Sequence, residues 1–152
     1  MTENQDTIES LLLAVKENEL SITEAKDKLS HYDELGFAKI DLHRTKRQGF
    51  PEVIFGEGKT VTQLDEIVHT LIKHNEVILI TRIDQIKAEN VIAKYPQLEY
   101  HETARIVCTP VNTINKTEHF AAIICAGTSD LPVAEEAAIT AEVMGISVQR
   151  FY

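Results

Sequence analysis

The chain has 152 residues, enough for one sizeable core and, at average spans, for one domain plus part of another. Hydrophobic residues at 43% and charged residues at 26% are ordinary for a globular polypeptide, while a net charge of −9 excludes a general nucleic-acid binder, which needs a basic face to displace phosphate counterions. No apolar run reaches the length of a membrane span, and the opening Met1-Thr-Glu-Asn-Gln-Asp6 lacks the basic-then-apolar pattern of a signal peptide, so no nucleic acid, no membrane and a cytoplasmic location are expected.

Residues 6–31 read as a helical hairpin, with Ile8, Leu11, Leu12 and Val15 forming one stripe and Ile22, Ala25 and Leu29 the other. Ser21-x-x-Glu24 is a capping box that starts the second helix. Next come two short strands, Phe37–Asp41 and Glu52–Phe55. From Thr60 to Lys73 the apolar residues Leu64, Ile67, Val68, Leu71 and Ile72 recur at i, i+3, i+4, i+7 and i+8, which predicts an amphipathic helix. Val77–Thr81 reads as a strand, Asp84–Lys94 as a helix ended by Pro96, and Leu98–Tyr100 with Arg105–Thr109 as a hairpin turning at Glu102-Thr-Ala104. The polar, aperiodic stretch that follows reads as a linker, and the last residues as strand, helix and the strand Ile146–Tyr152. The expected organisation is an arm over 1–34, a small α/β domain over 35–110, a linker over 111–118 and a second unit over 119–152.

Cys108 and Cys125 lie in apolar, strand-like runs with no CxxC spacing and are expected to be buried thiols. His31, His69, His74, His101 and His119 show no metal-ligand spacing, so no metal site is expected.

Two segments carry chemistry. In Ala121-Ala-Ile-Ile-Cys-Ala-Gly-Thr-Ser-Asp-Leu-Pro-Val-Ala-Glu-Glu-Ala137 an apolar strand ends at Gly127 and a helix starts near Pro132. Such a turn aims backbone N–H groups, the Thr128 and Ser129 hydroxyls and the Asp130 carboxylate at one spot, as a phosphate or ribose requires. Gly127 can take positive φ and admit close approach, Ser129 or Asp130 can cap the helix, and Pro132 suits its first turn. The same residue types also suit an ordinary capped turn. The second segment is a basic island: between Lys39 and Lys59 lie five bases and three acids, a charge of +2 on an otherwise acidic chain. Arg44 and Arg47 offer planar forks and Lys46 and Lys59 point charges to an anion, although a solvated loop would look alike. Asp41 and His43, two apart on an extended segment, would share a face as an acid/base or orienting pair, or serve only a structural role.

Gly127-Thr-Ser-Asp-Leu-Pro-Val-Ala-Glu-Glu-Ala137 resembles the opening motif of the PurE family of aminoimidazole ribonucleotide carboxylases, in which a Gly-Ser-x-Ser-Asp loop begins the mononucleotide site; Thr128 departs from it. The block Gly36-Phe-Ala-Lys-Ile-Asp-Leu-His-Arg-Thr-Lys-Arg-Gln-Gly-Phe-Pro-Glu-Val-Ile-Phe-Gly-Glu-Gly-Lys59 is foreign to PurE proper and resembles the amino-terminal domain of LarB, a nickel-pincer nucleotide cofactor enzyme with a PurE-like carboxy-terminal domain. The resemblance implies an α/β fold: a helical hairpin and a small α/β domain, then the first βαβ part of a doubly wound parallel sheet. It further implies carboxylation of the pyridinium ring of nicotinic acid adenine dinucleotide with hydrolysis of the phosphoanhydride, giving a pyridinium biscarboxylate mononucleotide and AMP. Carbon dioxide or bicarbonate would be co-substrate, Mg2+ a candidate ion, and a homo-oligomer the expected assembly. Arg44, Lys46, Arg47 and Lys59 would face the dinucleotide's phosphates, and Gly127, Thr128, Ser129 and Asp130 its pyridinium half. Neither Cys108 nor Cys125 occupies the place of the family's nucleophilic cysteine, so the chain is expected to be a fragment, binding-competent at most. A PurE-type carboxylase or mutase acting on aminoimidazole ribonucleotide and a non-catalytic nucleotide-binding module are the alternatives.

Overall fold

The computed structural model describes residues 8–29, 32–42 and 44–152. The chain begins with α1 (Ile8–Lys16) and α2 (Ile22–Leu29). The expected capping box starts α2: the Ser21 N–H donates to Glu24 Oε2 at 2.9 Å and the Glu24 N–H to Ser21 Oγ at 3.2 Å. The buried stripes are narrower than the periodicity predicts, because two helices this short share a single contact face. Leu11 and Ala25 are buried, whereas Leu12 and Ile22 stay exposed.

An antiparallel hairpin of β1 (Tyr32–Glu34) and β2 (Lys39–Asp41) follows. The strand predicted from Phe37 starts two residues late because Leu35–Ala38 form the turn, with the Leu35 N–H donating to the Ala38 carbonyl and Gly36 at φ +76°. After α3 (Arg44–Gln48) the chain enters a four-stranded sheet in the order β3 (Ile54–Phe55), β4 (Leu79–Thr81), β6 (Ile106–Cys108), β5 (Glu99–His101). β3 and β4 run parallel, as their crossover through α4 (Val61–Lys73) requires, and the other pairs are antiparallel. The α4 amino terminus is a reciprocal cap: the Gln63 N–H donates to Thr60 Oγ1 at 3.2 Å and the Thr60 N–H to Gln63 Oε1 at 3.0 Å. Asp84 caps α5 (Gln85–Lys94) by accepting from the Lys87 N–H at 3.0 Å.

Strand side chains alternate between two apolar layers. On one face Ile54, Ile80 and Val107 meet Leu64, Ile67, Val68 and Leu71 of α4 and Ala88 and Val91 of α5. On the other, Leu79, Ile106 and Cys108 meet Ile139 and Val143 of α6 (Leu131–Val143). The fold is therefore mixed α/β with helices on both sides of the sheet. α6 connects β7 (Phe120–Ile124) to β8 (Ser147–Phe151), which pair in parallel from Phe120 opposite Ser147 to Ile124 opposite Phe151.

Between the sheet and β7, a 3-10 turn at Val111–Thr113 sets Val111 against the second layer, and the Thr117 N–H donates to the Gly145 carbonyl at 2.8 Å. Gly145 ends α6 at φ +83° with the Asn115 carbonyl 3.0 Å from where a Cβ would stand, so any side chain there meets both strain and a clash. Cys108 is fully buried and desolvation pushes its thiol up to about 12. Cys125 corrects the expectation of two buried thiols: it is half-buried at the end of β7, its Sγ donating to the Gly127 carbonyl at 3.3 Å. No helix among the described residues is long and apolar enough to cross a membrane.

Candidate functional site

At the carboxyl end of β7 the chain turns through Gly127, with the Asp130 N–H donating to the Gly127 carbonyl at 3.1 Å. The turn differs from its sequence reading in two respects. Gly127 does not use the positive φ open to glycine, and Asp130, although at the N-cap position, has a helical backbone (φ −93°, ψ −10°) and makes no side-chain cap. A capping side chain needs an extended backbone at that position, so the Asp130 carboxylate is left outside the helix, and Pro132 sits in the first turn as expected. A Cβ placed on Gly127 would lie 3.8 Å from both Ser129 Oγ and Asp130 Oδ2. Hydroxyl and carboxylate thus flank the bare face of the glycine, at the amino terminus of a helix with no side-chain cap. Beside them is a cleft of about 170 Å³ lined by Cys125, Ala126, Gly127, Thr128, Leu131 and Tyr152.

Tyr152 is the lining residue that sequence reasoning missed. The parallel register was the available signal, since Phe151 opposite Ile124 brings residue 152 beside Cys125 and Gly127. Desolvation, then a hydrogen bond with Glu135, raises the pKa of the Tyr152 hydroxyl.

The basic island is partly committed to the protein itself. Arg44 Nη1 donates to Glu52 Oε2 at 3.0 Å, the guanidinium lies 5.5 Å from the centre of the Phe50 ring, and the buried Arg44 Nε has no hydrogen-bond partner among the described residues. Arg44 is therefore a poor free clamp for a phosphate. Lys59 lines a separate cleft of about 210 Å³ with Lys39, Glu52, Phe55 and Ile67, at the outer edge of β3. The side chains of Lys46 and Arg47 and all of His43 lie outside the described residues. Asp41 is half-buried at the end of β2, and its expected pairing with His43 lies outside the described residues.

A link between the two segments was invisible to spacing. Arg82, just past β4 at φ +53°, donates through Nε to both Glu136 carboxylate oxygens on α6 at 2.8 Å. Glu57, beside Gly56 in the loop after β3, also acts on Arg82 electrostatically. At Gly56 the strands approach closely: its N–H donates to the Thr81 carbonyl at 2.7 Å, and a Cβ would stand 3.0 Å from that oxygen. The carboxyl ends of β3 and β4, the usual ligand side of an open α/β sheet, are thus tied to α6 by an ion pair. The Lys59 cleft and the Gly127 turn remain on opposite layers, the first against α4 and the second at the head of α6. No group of three or more His, Cys, Asp or Glu able to hold a metal occurs among the described residues.

A family model described as LarB/PurE-like N-terminal domain matches residues 32–111. An uncharacterized protein of Methanocaldococcus jannaschii is 33% identical over 154 residues, an alignment that covers 95% of this chain and 60% of that protein. The chain therefore spans about three-fifths of the length of the curated relative it matches.

Proposed function

As a member of the LarB/PurE-like N-terminal-domain family, to which the chain belongs, this polypeptide is, we propose, the dinucleotide-binding part of an enzyme that carboxylates the pyridinium ring of nicotinic acid adenine dinucleotide and hydrolyses its phosphoanhydride. The products would be a pyridinium biscarboxylate mononucleotide and AMP, with carbon dioxide or bicarbonate as co-substrate. One observation carries the reading: Ser129 Oγ and Asp130 Oδ2 flank the bare face of Gly127 at a helix start that no side chain caps. The phosphate and ribose of the pyridinium half are the two groups that such a corner holds, phosphate by helix N–H groups and hydroxyl, ribose hydroxyls by carboxylate. A pyridinium is electron-poor, so a nucleophile must add to the ring before any carbon can attack carbon dioxide. Neither cysteine here is offered for that step, and the proposed role of this chain is to bind and orient. The match over 32–111 to a LarB/PurE-like N-terminal domain supports this reading.

Calorimetric titration of the chain with nicotinic acid adenine dinucleotide tests the reading. Saturable binding is expected, weakened about tenfold by Ser129→Ala and by Asp130→Ala, the cost of one polar contact to a charged or ribose group. Arg44→Ala should change affinity far less, because its fork is held by Glu52. Absence of heat with the unsubstituted chain, or equal affinity for all three variants, would remove the site.

A further inference from the structure

α1 carries two apolar stripes, and the fold uses one of them. At about 100° per residue, Leu11, Ala14 and Val15 share the side that is buried or half-buried. Glu9, Leu12, Leu13 and Lys16 occupy the opposite side at i, i+3, i+4 and i+7, and all four are exposed, Leu12 at 56% and Leu13 at 48%. Their order is acid, leucine, leucine, base. Turned end over end about a point between Leu12 and Leu13, the stripe falls on itself with leucines on leucines and each charge on its opposite.

We infer that this stripe is an interface with a second copy of the chain. The two α1 helices would lie antiparallel across a two-fold axis between Leu12 and Leu13, with Glu9 facing Lys16 of the partner subunit and Lys16 facing Glu9 of the partner subunit. A two-fold contact is self-complementary by construction, and this stripe has the required symmetry in both shape and charge. The arrangement also supplies what the arm lacks, since helices of 9 and 8 residues are marginal in water without an apolar face to cover. Two hairpins joined this way make a four-helix cluster with the leucines at its centre.

Sedimentation velocity on the full chain tests the inference. The unsubstituted protein is expected to associate through this contact, reaching at least twice its 17.1 kDa chain mass. Leu12→Glu with Leu13→Glu should weaken association by roughly a hundredfold, while unchanged far-ultraviolet circular dichroism shows the arm still helical. Glu9→Lys and Lys16→Glu should each weaken it by roughly threefold or more at low salt by opposing like charges, and the double variant, whose net charge is unaltered, should recover. A monomeric unsubstituted chain, or leucine variants that associate as well as it does, overturns the inference. Failure of the double variant to recover overturns the antiparallel register. If the double leucine variant misfolds, the charge exchange still decides the question.

Discussion

Leu64→Ala is expected to cost about 3 kcal/mol of folding stability, seen as a fall of roughly 6–12 °C in Tm for a chain of this size. Leu64 is fully buried at the second turn of α4, in the layer that also holds Ile54, Ile80, Val91 and Val107. Truncation removes apolar area from that layer and leaves a cavity between helix and sheet that close-packed neighbours cannot fill. Ile86→Ala provides the comparison, because Ile86 is 72% exposed on α5 and its truncation should cost under about 0.5 kcal/mol. Denaturant titration of both variants measures the difference. Equal midpoints would mean that α4 does not pack on the sheet as described.

Arg150→Met is expected to destabilise the chain by about 2 kcal/mol at pH 7, with the deficit shrinking in acid. Glu142 is a buried carboxylate on α6, 8% exposed, that accepts from Arg150 Nη1 at 3.1 Å and Nη2 at 2.7 Å. The Arg150 bonds hold its pKa below the ordinary 4.5 against the opposing effect of burial, and Lys116 at 3.7 Å assists. Because the folded pKa is the lower one, the pair stabilises the fold above pH 4.5 and that contribution is lost as pH falls through the depressed value. Without Arg150, burial acts on a carboxylate left with Lys116, and Glu135, which stands 3.3 Å from Arg150 Nε, loses the same partner. Stability curves of the two proteins should therefore begin to approach as pH falls below about 4.5 and meet only below the depressed pKa of Glu142. A constant gap at all pH values would show that Arg150 acts through its packed stem alone.

What could be read from the chain beforehand follows physical lines. The α4 helix was legible because five apolar residues repeat at helical spacing, and the hairpin of β5 and β6 because Glu102-Thr-Ala104 can turn between them. α3 was not, since Arg44-Thr-Lys-Arg-Gln48 has no apolar stripe, and β1 was not, since Tyr-Asp-Glu is too short to alternate detectably. At the Gly127 turn the residue types were right and their use was not: cap propensity describes what Ser and Asp prefer, whereas the helical backbone at Asp130 decides that its carboxylate stays outside the helix. The Arg82–Glu136 pair joins residues 54 apart in sequence, beyond any local pattern. Leu12 falls in an apolar stripe and yet stays exposed, because periodicity marks apolar residues without saying how many faces a neighbour will cover.

α6 serves two masters: Ile139 and Val143 seal the underside of the four-stranded sheet, while the rest of the helix bridges β7 and β8. A polypeptide ending at residue 111, where the family match stops, would carry Leu79, Ile106 and Cys108 bare into water. The boundary drawn by evolutionary likeness and the boundary drawn by solvent exclusion are therefore different lines, and heat should melt both halves in a single cooperative event.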